Sequence, residues 1–198
     1  MAQPNNVLVL AYLFPPAGGV GVQRVLSFVR YLPASGCTVR VLTAANPAVP
    51  ALDPSLAARV PAGTAVSSAW TPEPSYETRE RVLRWLGGNR TGGALTGSPE
   101  GSKESGGWKR LLKGAIERVL CPDPQRFWVP FAVRKARRIV REEGIGTILV
   151  SAPPFSSLQA GVVLKREFPE LKLVSDFRDE WVGHFLRLDR AASEWKKQ

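Results

Sequence analysis

Apolar side chains in this sequence follow two rhythms. Short runs rich in Val, Ile and Leu, at Asn6 to Ala11, Thr38 to Thr43, Thr147 to Ser151 and Lys172 to Asp176, read as strands, the first of them buried. Elsewhere the apolar residues recur every three or four positions. Val22, Val25, Leu26, Val29 and Leu32 mark one face of a helix, with Gln23, Arg24, Ser27 and Arg30 opposite and Gly36 placed to end it. Pro130 opens a second helix toward Glu143, and Phe155 to Phe168 forms a third. Thr64 to Ser68 predicts a short extra strand, Tyr76 to Leu86 a helix, and a further helix follows Trp181. The opening strand, glycine loop, helix and strand make a βαβ unit, whose connection is expected to be right-handed. The continued alternation predicts an α/β fold, Rossmann-like, with a mainly parallel sheet and helices on both faces.

Two stretches interrupt the pattern. Asn46 to Pro61 is rich in Pro and Ala and reads as a loop. Gly87 to Gly107 holds eight glycines in 21 residues and almost no bulky apolar side chain. It cannot bury enough surface to offset its ordering entropy, so the sequence predicts a mobile excursion within a single domain spanning residues 1–198.

Composition narrows the class. The 198 residues are 44% hydrophobic and 22% charged, enough for a core without disulfide or metal. The longest clean apolar run, Val7 to Phe14, is far shorter than the roughly 20 residues a spanning helix needs. No basic segment precedes it and Pro15-Pro16 closes it, so it does not read as a signal peptide, and a cytoplasmic location is expected. Cys37 and Cys121 are too few for a disulfide scaffold, and His184 is the only histidine. No metal site and no metal cofactor are expected, because zinc sites need three or four clustered ligands. A Ser-His-Asp hydrolase is equally disfavoured, since the sequence contains no G-x-S-x-G.

The net charge of +10 is concentrated between Trp108 and Arg141, where ten basic residues face only Glu117 and Asp123. Such a stretch points to an anionic partner. Within it, Trp108, Leu111, Leu112, Ala115, Ile116, Val119 and Leu120 form an apolar stripe, with Lys109, Arg110, Lys113 and Arg118 opposite. Two readings of this helix at 108–120 stay open: one packed on a core with a solvated basic face, or one lying on an anionic membrane surface. No nucleic-acid motif accompanies it, and nucleic acid is not an expected partner.

Ligands of doubly wound sheets sit beyond the carboxyl ends of the strands, where three unusual segments fall. The first is Phe14-Pro15-Pro16-Ala17-Gly18-Gly19-Val20-Gly21. Its glycines let backbone N–H groups approach an anion, the helix start adds partial positive charge, and Arg24 lies one turn in. A tight turn needing positive φ is the competing explanation. A dinucleotide fingerprint is not met, because Arg24 stands where the third glycine belongs and no acid follows the second strand until Asp53. The second segment is Ser151-Ala152-Pro153-Pro154-Phe155-Ser156-Ser157, in which Ser156 or Ser157 can cap the next helix or, with Ser151 and Pro153, touch a substrate. The third is Ser175-Asp176-Phe177-Arg178-Asp179-Glu180-Trp181. Its carboxylates suit sugar hydroxyls, Arg178 a phosphate, and Trp181 a flat apolar face; an Asp–Arg pair fixing the loop is the alternative.

Together these segments resemble the N-terminal domain of GT-B glycosyltransferases, in particular the bacterial family 4-like N-terminal domains. The likeness rests on Phe14-Pro15-Pro16, Gly18-Gly19-Val20-Gly21, Arg24, Tyr31-Leu32-Pro33, Val150-Ser151-Ala152-Pro153-Pro154 and Asp176-Phe177-Arg178-Asp179-Glu180-Trp181. It covers roughly residues 6 to 185. The resemblance implies an acceptor-binding Rossmann-like lobe facing a second lobe that binds a nucleotide-sugar. It sets Gly18 and Gly19 near the donor diphosphate and Asp176 to Asp179 near the transferred sugar. It also implies a metal-independent, retaining transfer to a glycan or lipid-linked acceptor, with no cofactor beyond the nucleotide-sugar donor. Membrane work of this kind would give the basic helix near Trp108 a role at the inner membrane face. Such an enzyme would continue for roughly another domain of 150 to 200 residues beyond Gln198. The donor lobe is expected in cis or in trans, and the 198-residue chain alone is expected to be inactive. A binding module without chemistry and a truncated remnant are the competing expectations.

Overall fold

The computed structural model describes residues 5–47, 52–72 and 123–179. The helices predicted at 76–86, at 108–120 and after Trp181, and the glycine-rich stretch 87–107, lie outside the described residues. Five strands form one sheet in the order β3-β2-β1-β4-β5. They are β1 (Asn6–Leu10), β2 (Thr38–Ala44), β3 (Ala65–Ala69), β4 (Thr147–Ala152) and β5 (Lys172–Phe177). Every pairing is parallel. The helices are α1 (Val20–Tyr31), the short α2 (Pro54–Ala57), α3 (Val129–Glu143) and α4 (Ser156–Glu167). This is the Rossmann-like α/β architecture expected from the alternation of strands and helices.

The period of two along each strand decides what each face buries. Val7 and Val9 pair in register with Val39 and Val41, and with Leu149 they pack against Val25 and Val29 of α1. The alternate residues Leu8, Leu10, Leu42, Ile148 and Val150 point the other way. They meet Ala132, Val133, Ala136 and Ile139 of α3 and Ala160 and Leu164 of α4. Fully burying a Leu or Ile side chain stabilises by roughly 1.5–3 kcal/mol, and these central strands are buried on both faces. Trp128 anchors the larger cluster. It is fully buried, its ring meets Tyr12 edge-on with centroids 5.5 Å apart, and its indole N–H donates to the Ala69 carbonyl at 3.3 Å.

Several boundaries differ from the expectation. α1 begins at Val20 rather than Val22 because Gly19, at φ 118°, is the cap, a conformation that favours glycine. Leu32–Ser35 continues as a 3-10 turn, and the left-handed Gly36 ends it. The stretch read as a loop from Asn46 contains α2, capped by Asp53, whose carboxylate accepts from the Ser55 N–H at 3.0 Å. A 3-10 turn, Pro124–Trp128, leads directly into α3, so Pro130 is the second helical residue. Gly161 lets α4 approach the sheet closely, since a Cβ there would lie 2.8 Å from Val150 and 2.9 Å from Leu173.

Candidate functional site

The order of the strands reverses between β1 and β4. The chain leaves β1 toward α1 on one face and leaves β4 toward α4 on the other. A crevice opens beyond the carboxyl ends at such a switch point. The three loops singled out in the sequence meet there.

The glycine loop is fixed from both sides. The Ala17 N–H donates to the Phe14 carbonyl at 3.0 Å, Ala17 bridges to Leu52, and the Asp53 N–H donates to the Pro16 carbonyl at 2.7 Å. Gly19 is exposed, Gly18 half-buried, and no side chain caps the start of α1. The amide groups of that first turn are consequently not used up by a capping side chain.

Strand register brings in the acidic partner. Ser151 and Asp176 are opposite one another on β4 and β5, and the pleat aims both at the α1 face, the side to which Leu149 belongs. The Ser151 hydroxyl donates to Asp176 Oδ2 at 3.2 Å. Arg24 reaches across from α1: its Nε lies 3.0 and 2.9 Å from the two carboxylate oxygens, and its Nη2 lies 2.6 Å from Oδ1. The Asp176 side chain is 9% exposed and that of Arg24 is 52% exposed. The hydrogen bond and the charge of Asp176 together hold the Arg24 pKa above its ordinary value. Arg24 also lies over the Phe28 ring, 5.6 Å from its centre.

Arg178 joins the third loop to the other two. Its backbone N–H and its Nε donate to the Ala152 carbonyl at 3.1 and 3.2 Å, and its Nη2 donates to the Pro153 carbonyl at 2.5 Å. Nη1 rests against Gly21, where a Cβ would overlap it. Burial pushes the Arg178 pKa down despite the nearby carboxylates of Asp179 and Asp176. Asp179 is exposed and makes no hydrogen bond among the described residues.

The structure thus brings together Gly21, Arg24, Ser151, Pro153, Asp176 and Arg178, with the Asp179 charge beside Arg178 and Gly18 and Gly19 just before Gly21 in the same segment. Trp181 lies outside the described residues. Ser156 is fully buried, which removes it from any surface a ligand could touch. Neither Ser156 nor Ser157 caps α4. The Asp123 carboxylate accepts from the Ser156 N–H at 2.9 Å and occupies the helix start. Asp123 escaped sequence reasoning because it lies 33 positions from its partner. Burial raises its pKa above the ordinary carboxylate range, against hydrogen bonds that lower it.

The crevice therefore offers uncapped amides, a partly exposed guanidinium and two carboxylates within one cluster. Such a set can hold an anionic group beside a hydroxyl-bearing one. Among the described residues no group of three or more His, Cys, Asp or Glu side chains is placed to hold a metal, and no helix is long and apolar enough to cross a membrane. No family model matches this chain, and no curated protein matches it.

Proposed function

We propose that this chain is the acceptor-side lobe of a retaining, metal-independent GT-B glycosyltransferase, moving a sugar from a nucleotide-sugar to a glycan or lipid-linked acceptor. The observation that carries the reading is the meeting of Arg24, Asp176 and Arg178 beside the uncapped start of α1, at the switch point of a parallel sheet. In this proposal the Gly18–Gly19 amides and Arg24 take the donor diphosphate, whose negative charge grows as the sugar departs. Asp176 and Asp179 accept hydrogen bonds from sugar hydroxyls. Arg178 ties the two later loops to Gly21 and keeps these groups in register, adding positive charge near the diphosphate. A nucleotide-sugar-binding lobe, in cis or in trans, supplies the remaining donor contacts. The work would be done on the cytoplasmic side, peripheral to the inner membrane where the acceptor is lipid-linked, as in polysaccharide biosynthesis.

One observation favours a second reading. Asp176 and Arg178 are both engaged by partners within the protein, as they would be in a module that binds a phosphorylated or glycan ligand without chemistry.

Thermal unfolding with a panel of ligands separates the two, because a ligand bound only by the native state raises the melting temperature. Nucleoside diphosphate sugars are expected to stabilise the chain, and Arg24→Ala to reduce the effect. Stabilisation by phosphate or glycans without any by nucleotide-sugars favours the second reading. No shift with any of these ligands at saturating concentration removes both.

A further inference from the structure

The charges of the crevice cancel. Arg178 lies within electrostatic reach of Arg24, Asp176 and Asp179, so two guanidiniums and two carboxylates share one cluster among the described residues. Asp176 takes both Nε and Nη2 of Arg24, two of its three guanidinium nitrogens. Arg178 spends Nε and Nη2 on the carbonyls of Ala152 and Pro153. An anion that seeks two hydrogen bonds from Arg24 must therefore share Nη2 with Asp176 or displace the carboxylate. Displacement is costly. The nearly buried Asp176 would keep its charge with only the Ser151 hydroxyl bonded to it among the described residues. Arg24 itself has room to move, because about half its side chain is exposed and an open groove of about 480 Å³ adjoins it along α1, lined also by Val20, Gln23, Ser27 and Phe28.

We propose that the crevice takes a zwitterionic sugar phosphate, whose anion binds Arg24 and the start of α1 while an ammonium on the neighbouring ring carbon binds Asp176. On the glycosyl-transfer reading, on which this rests, the transferred sugar is then one with a free amino group. Such a ligand exchanges one ion pair for two: Arg24 passes from Asp176 to the phosphate, and the ammonium replaces the guanidinium on the carboxylate. No buried charge is left alone. A hydroxyl at the same ring position would return a hydrogen bond to Asp176 but no charge, and an acetylated amine would do no better. Arg24 and Asp176 are in direct contact, so the two charges of the ligand must lie close together, as substituents of adjacent ring carbons do. Asp179 adds a further negative charge to the cluster that the ammonium enters.

The test is calorimetric titration of the 198-residue chain at about pH 6, where an ordinary amino group is protonated. The ligands are glucosamine 1-phosphate, glucose 1-phosphate and N-acetylglucosamine 1-phosphate, which share the anion and the ring and differ only at the carbon beside the phosphate-bearing one. Glucosamine 1-phosphate is expected to bind about tenfold tighter than either of the others, as a charge-assisted hydrogen bond in place of a neutral one implies. In Asp176→Asn, which keeps an acceptor for the Ser151 hydroxyl, that preference should disappear. Circular dichroism checks that the variant is folded. Equal binding of the three ligands overturns the proposal, and leaves the glycosyl-transfer reading standing where nucleotide-sugars still stabilise the chain. A preference that survives in Asp176→Asn overturns it too, since the ammonium would then be recognised elsewhere. Absence of binding by all three overturns it as well, and takes the glycosyl-transfer reading with it only where nucleotide-sugars also fail to stabilise the chain.

Discussion

The Arg178 guanidinium occupies the space that a side chain at residue 21 would need, so Gly21 and Arg178 fit together as lock and bolt between the first and last loops of the sheet. Gly21 has no positive φ, and its backbone accepts any residue. What excludes alanine there is the neighbour, not the conformation.

That distinction predicts a change of sign. In a helix Gly→Ala ordinarily stabilises by roughly 0.5–1 kcal/mol. In this chain the new methyl should displace the flexible Arg178 side chain from the carbonyls of Ala152 and Pro153. Gly21→Ala is therefore expected to destabilise by about 1–2 kcal/mol, the worth of those bonds. In an Arg178→Ala background the same substitution should stabilise. Urea unfolding of the four members of the cycle checks this, and equal effects in both backgrounds would refute the coupling.

A second prediction concerns the competition for Arg24. Asp176 engages it through both carboxylate oxygens, leaving it less available to an incoming anion. Asp176→Asn keeps an acceptor for the Ser151 hydroxyl and removes the competing charge. Calorimetric titration with pyrophosphate should show binding about threefold tighter in Asp176→Asn and about fivefold weaker in Arg24→Ala, since charge-assisted bonds at exposed sites contribute modestly. Transfer activity, where the donor lobe is supplied, should nonetheless fall in Asp176→Asn. Weaker pyrophosphate binding by that variant would mean that Asp176 orders the site rather than competing for it.

Asp123 gives the molecule a pH dependence. Burial raises its pKa in the folded state, so relative to the unfolded chain the fold favours the protonated carboxyl. The resulting stability is fully present below the unfolded value of about 3.9 and is lost as pH rises through the higher folded value. Asp123→Asn keeps an oxygen to accept from the Ser156 N–H and cannot ionise. Its unfolding midpoint in urea should be the flatter of the two over about pH 4 to 7, meeting or exceeding the wild type at the upper end. A steeper profile for the variant would show that the helix-start interaction outweighs desolvation.

The parts of this fold that were legible in the sequence are those set by local periodicity. The runs around Val9, Val41 and Leu149 read as strands because alternate residues, or all of them, meet a helix, whereas in Lys172–Phe177 it is Leu173 that packs on the core. α2 was missed because four residues make no periodic signal, although Asp53-Pro54-Ser55 carries a capping pattern. The three loops could be assigned to the carboxyl end of the sheet, but not their mutual contacts. Arg24 and Asp176 are 152 positions apart, and only the register of β4 on β5 aims the carboxylate at α1. Ser156 was misread for a related reason: its neighbour in space, Asp123, is remote along the chain.

Among the described residues β5 pairs only with β4 and forms one margin of the sheet. Marginal strands detach at lower free energy than central ones. If β5 frays, Asp176 and Arg178 leave together, while the glycine loop stays moored to the interior by Ala17 and Asp53. The persistence of the crevice is therefore governed by the fastening of one peripheral ribbon rather than by the global unfolding equilibrium. A molecule spanning the glycine loop and Asp176 would act as a splint, slowing amide exchange along β5 far more than along β1.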